Sequence, residues 1–140
     1  MLCACTAKET AVTDAVPSVE EGEDMKGSEL KLLIDDQPIE VTWEDNASVE
    51  ALKQLAPLTI AMEMYGGFEQ VGEIGTSITR NDVQTVTSPG DIVLYAGDNI
   101  VVFYGSNSWA YTRLGKMELS EDELRSLLGD HPVTLKLITE

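Results

Sequence analysis

Cysteine, histidine and basic residues are all scarce in this chain, and each scarcity closes off some chemistry. Of 140 residues, two are cysteine and one is histidine. Cys3 and Cys5 have a single residue between them, so a disulfide joining them would be strained and would staple nothing. His131 stands alone beside Pro132 and reads as a turn residue; one histidine does not make a multi-histidine metal site. No metal ligand and no cofactor are expected. Nine basic residues face 25 acidic ones, a net charge of −16. Such a surface repels phosphate backbones, so nucleic acid is not expected as a partner. It would attract cations, although field strength alone names none. No stretch approaches the roughly 20 apolar residues needed to cross a bilayer.

Catalytic signatures are missing too. Ser106 and Ser108 have no activating partner in the nearby sequence, and Gly66, Gly67, Gly72 and Gly75 form neither a phosphate loop nor a dinucleotide fingerprint. No catalytic residue is assigned. Glu63 and Glu69 would make a carboxylate pair only if folding brought them together.

The length suits one domain with a modest core. Residues 1–28 carry a net charge of −4 and residues 29–140 a net of −12, so the folded part is itself anionic. Residues 6–28 are rich in Ala, Thr, Glu, Asp, Ser and Gly, contain Pro17, and lack a periodic apolar face. We read 1–28 as a flexible acidic leader and 29–140 as the domain. At the head of the leader, Leu2-Cys3-Ala4-Cys5 is similar to the end of a bacterial lipoprotein signal, with Cys5 as the lipidated residue. The apolar segment that should precede it is missing, which leaves two accounts: a precursor that starts further upstream, or an accidental likeness. The expectation is an extracytoplasmic domain held to a membrane through Cys5 in an intact precursor. The literal chain from Met1 would be soluble and cytoplasmic.

Within the domain, Leu30–Ile34 and Pro38–Trp43 read as a hairpin about Asp35-Asp36. Asn46 is placed to cap a helix with Val49, Leu52 and Leu55 on one face, ended by Pro57. Leu58–Tyr65 is a strand with Met62 and Met64 directed to the core, and Phe68–Gly75 a glycine-broken loop over a groove. Val83 and Thr85 mark a short extended run. Ile92–Tyr95 and Ile100–Tyr104 give the clearest hairpin, turning at Gly97-Asp98-Asn99. Ser120 and Glu123 form a capping box for a last helix that ends at Gly129, and Val133–Ile138 closes the chain as a strand.

The segments Glu44-Asp45-Asn46, Leu58–Tyr65, Gly90–Tyr95, and Val102–Gly105 leading to Leu114-Gly115-Lys116 resemble the bacterial cyclophilin-like family over roughly residues 30–139. The resemblance implies a mainly β fold, a compact barrel with two short helices. It does not carry over an activity. True cyclophilins have a Phe-x-Arg segment and a Gln-Gly-Gly arrangement that build a proline groove, and neither occurs here. Arg80 and Arg113 are the nearest chemical candidates.

The function expected is therefore noncatalytic binding of a peptide, protein or small molecule in a groove. The candidate residues are Glu63, Tyr65, Phe68, Tyr95, Asn107, Trp109, Tyr111 and Arg113, which combine apolar area with directional polar groups. The alternative is weak prolyl isomerisation, with Arg113 or Arg80 stabilising a twisted carbonyl; a purely structural account instead makes Trp109 and Phe68 core residues and pairs Arg113 with a local carboxylate. The sequence leaves the oligomeric state open.

Overall fold

The computed structural model describes residues 29–140; the leader, its tether and Cys5 lie outside the described residues. The folded unit runs from Leu30 to Thr139. It begins with β1 (Leu30–Ile34), whose Leu30, Leu32 and Ile34 are buried in strict alternation. Asp35 and Asp36 take φ values of 49° and 68°, the left-handed pair that a two-residue hairpin needs and that short polar side chains tolerate. They turn the chain into β2 (Gln37–Ile39).

After one residue the chain continues as β3 (Val41–Trp43), then α1 (Ala47–Leu55). The Asn46 side chain accepts a hydrogen bond from the Val49 amide at 2.9 Å, and the helix buries Val49 and Leu52, as the spacing predicts. Next come β4 (Leu58–Ala61), β5 (Glu63–Tyr65), β6 (Glu69–Glu73) and β7 (Val83–Val86). The predicted hairpin is present as β8 (Asp91–Tyr95) and β9 (Asn99–Phe103). The long β10 (Ser108–Met117), α2 (Glu121–Leu128) and β11 (Thr134–Thr139) complete the chain.

The closed barrel expected from the resemblance does not form. The strands make two open sheets, β2-β1-β11-β4 and β3-β10-β8-β9-β6-β5, with β7 also paired to β10, and the architecture with its two helices is mixed α/β. Closure requires every strand to be paired on both sides. Here the ladder breaks at single-residue corners, where the chain leaves one sheet and joins the other. At the first corner the Glu40 carbonyl accepts from the Glu118 amide at 2.9 Å; at the second the Met62 amide donates to the Val133 carbonyl at 3.0 Å. The sheets are thus linked covalently at β2–β3 and β4–β5 but not by a continuous ladder.

The main core takes side chains from both sheets and both helices, including Ile34, Leu52, Ile60, Leu94, Leu114, Leu124 and Leu135. Strands β8 and β9 are buried on their other face as well, where Val93, Val101, Phe103 and Tyr111 form a second cluster. Burial on both faces explains why these strands read as unbroken apolar runs. Among the described residues, no helix is long and apolar enough to cross a membrane.

The capping box on α2 is complete: Ser120 Oγ accepts from the Glu123 amide at 3.1 Å, and Glu123 Oε1 accepts from the Ser120 amide at 2.8 Å. Ser120→Ala should lower the unfolding free energy by about 1 kcal/mol with no change in fold, measurable by urea denaturation.

Candidate functional site

Val71, Val101 and Tyr111 of the second cluster line a groove, with the rest of the cluster packed behind them. In an antiparallel pair, directly opposed residues project from the same face. Tyr65 opposes Glu69, Glu69 opposes Phe103, Val71 opposes Glu63 and Val101, and Tyr95 opposes Asn99. Tyr111 and Trp109 reach the same face from β10. The result is a concavity of about 850 Å³ on the larger sheet.

Six of the eight candidate residues line it: Glu63, Tyr65, Tyr95, Asn107, Trp109 and Tyr111. Tyr111 is the hub. Its ring meets Tyr95 edge-on at 6.1 Å and Phe103 at 5.8 Å, and its hydroxyl accepts from Asn107 Nδ2 at 3.0 Å. Asn107 is held in turn by Thr87, which is buried and exchanges bonds of 2.8–3.0 Å with its backbone. Burial pushes the Tyr111 hydroxyl up from its ordinary range; the Asn107 bond partly opposes this, and nearby Glu69 adds to it. Trp109 and Tyr65 are the exposed rim, 56% and 66% accessible.

The remaining two candidates lie elsewhere. Phe68 packs beneath the groove, its ring parallel to that of Phe103 within 8° at a centroid distance of 6.5 Å. Arg113 is engaged away from the lining: Nη1 donates to Asp91 Oδ2 at 3.0 Å and Nη2 to the Val86 carbonyl at 3.2 Å. Asp91 is buried and also accepts from the Ser88 amide at 2.9 Å, so Arg113 serves the turn before β8. Arg80 pairs with Asp82 at 3.5 Å and does not line the groove either.

Two features were not read from the sequence. Met64, expected in the core, is 36% exposed and lines the groove, because the corner at Met62 redirects the chain. Phe68–Gly75, expected as a loop, is largely β6. The three-residue connection before it needs Gly66, whose φ is 67° and whose Cβ position is filled by the Phe68 ring.

Strand β6 brings the decisive group. Glu69 is 5% exposed, yet Oε1 has no hydrogen-bond partner among the described residues. Desolvation pushes its carboxyl up to about 7. Glu63 and Glu73 also line the groove, and no basic side chain does. The signal for Glu69 lay in its pairing partners, which sequence order does not reveal.

The fold and groove now meet an independent finding. A family model described as cyclophilin-like family matches residues 32–137. The chain belongs to the cyclophilin-like family. No curated protein matches it in sequence. The match covers nearly all of the described domain, and the unpartnered buried carboxyl of Glu69 is read from this chain's own residues.

In this cyclophilin-like chain Arg113→Ala should separate stability from binding. Removing one of the partners of buried Asp91 should cost about 1–2 kcal/mol, tempered by the exposure of the guanidinium, in chemical denaturation. Affinity at the groove should change less than about twofold in calorimetry. A large loss of affinity with intact folding would return Arg113 to the site.

Proposed function

We propose that this domain binds a peptide or small ligand in the groove without transforming it. The observation that carries the reading is the conjunction of four aromatic side chains, Tyr65, Tyr95, Trp109 and Tyr111, with a buried carboxyl lacking a partner in one concavity. The chain has only eight aromatic residues, and six of them line or underlie this face. Aromatic rings supply most contact area in recognition sites at a low cost in side-chain entropy, and a few polar groups fix orientation.

Trp109 provides the assay. Screening a peptide and metabolite library by tryptophan fluorescence and thermal shift should find binders whose affinity falls at least about tenfold on Trp109→Ala or Tyr65→Ala, followed by calorimetry. Unchanged affinity in both variants would put the binding site elsewhere. For the isomerase alternative, neither arginine candidate lines the groove; a protease-coupled proline-peptide assay should give equal rates with and without the domain. The setting we infer is extracytoplasmic, with anchoring through Cys5, tested by intact mass of the mature N terminus.

A further inference from the structure

We propose that the groove selects a protonated amine or guanidinium carried on an apolar stem, with Glu69 receiving the cationic head and the aromatic rings lining its path. The inference rests on the binding reading above and names the ligand's charge. Three observations converge. The lining holds Glu63, Glu69 and Glu73 and no lysine or arginine. Glu69 lines the concavity at 5% exposure and its enclosed Oε1 has no partner, so a cationic head drawn against this carboxyl would offset the cost of burying its charge. Tyr111 and Tyr95 meet edge-on and share the lining with exposed Trp109; aromatic faces attract cations within about 6 Å of the ring centroid.

The kind of cation follows from geometry. Among the described residues no three acidic, histidine or cysteine side chains converge closely enough to hold a metal ion. A divalent ion has no cage, whereas an ammonium or guanidinium on an alkyl stem uses one carboxylate and apolar walls together. The titratable groups facing Glu69 are Glu63 and Tyr65 on β5, Glu73 on its own strand, Tyr95 on β8 and Tyr111 on β10; Asn99, Val101 and Phe103 of β9 contribute none.

Glu69 holds its proton up to about pH 7 in the free protein, while an alkylammonium stays charged to about pH 10. Proton and cation therefore compete for one carboxyl. Affinity should rise with pH by up to about tenfold per unit below 7 and level off above 8, and binding near pH 6.5 should release a proton.

The test is calorimetry on the full chain with four probes: N-acetyl-lysine methylamide, its uncharged isostere N-acetyl-norleucine methylamide, agmatine, and a lysine-containing blocked tetrapeptide. The expected result is that the lysine amide binds at least about tenfold more tightly than the norleucine amide, that Glu69→Gln removes this preference, and that binding enthalpy at pH 6.5 depends on buffer ionisation heat. Circular dichroism verifies that Glu69→Gln is folded, and Trp109→Leu should weaken every cationic probe while keeping Glu69. Tighter binding of the tetrapeptide than of agmatine assigns the cation to peptide side chains; the reverse assigns it to free amines. Equal binding of lysine and norleucine amides, or affinity that falls as pH rises, overturns the charge assignment and leaves the groove as a binding site for neutral ligands. If none of the four probes binds, the charge assignment fails; if the library screen above also finds no binder sensitive to Trp109, the binding reading fails with it.

Discussion

Glu69→Gln is expected to flatten the pH dependence of stability, removing about 3 kcal/mol of difference between pH 4.5 and pH 8.5 in urea unfolding. The carboxyl sits at about 7 in the folded state because burial disfavours its charge, against 4.5 when exposed. Between those values the unfolded chain gives up the proton and the folded chain keeps it. Stability associated with Glu69 is therefore fully present below 4.5, falls as pH rises, and is lost once pH passes 7. Glutamine cannot ionise, so the variant should keep its stability across the window. A second titrating contact lies elsewhere in space: a bond to Asp35 raises His131, and the Thr134 amide, followed by His131, lowers Asp35. That exposed contact is present in both proteins, so the difference between the two curves isolates Glu69. Parallel curves would show that the carboxyl is solvated in solution.

Gln70→Leu should destabilise the fold by about 4 kcal/mol, the largest single-residue effect expected here outside the apolar core. The side chain is fully buried and serves three backbone groups. Nε2 donates to the Leu128 carbonyl at 2.6 Å and to the His131 carbonyl at 2.9 Å, and Oε1 accepts from the Val133 amide at 3.0 Å. Leu128 ends α2, where carbonyls have no partner within the helix. Leucine has similar bulk but leaves all three groups unsatisfied, at roughly 1–3 kcal/mol each. Equilibrium unfolding should show the loss as a lower midpoint with an unchanged slope. A loss below about 1 kcal/mol would mean that water replaces the amide.

Glu69 and Gln70 also mark where sequence reading reached its limit. The helices and the β8–β9 hairpin were legible because their signals are local: Asn46 and Ser120 sit at caps, and the apolar runs flank a glycine-containing turn. Strand β6 was not. Glu-Gln-Val-Gly-Glu looks like solvated loop; apart from its short hairpin with β5, the partners that bury it lie roughly 30 to 60 residues away. The barrel expectation failed for a related reason. Alternation runs unbroken through Ile39, Val41 and Trp43, so nothing local reveals that pairing changes sheets at Glu40. In the site, the sequence left Arg113 open between the groove and a carboxylate partner, and Asp91, 22 positions earlier, takes the guanidinium, whereas Trp109 stays exposed rather than joining the core.

The second cluster gives the groove two kinds of wall with different freedom to change. Val101 lines the concavity and, with Val93 and Phe103 packed behind it, holds β8 and β9 together, so altering any of them loosens the protein. Tyr65 sits on a three-residue edge strand and Trp109 near the start of β10, both largely in solvent. Exchanges there are cheap for folding. On the proposed binding reading, descendants of this chain could diverge in what they hold by rewriting the rim while the packed strands behind it are kept.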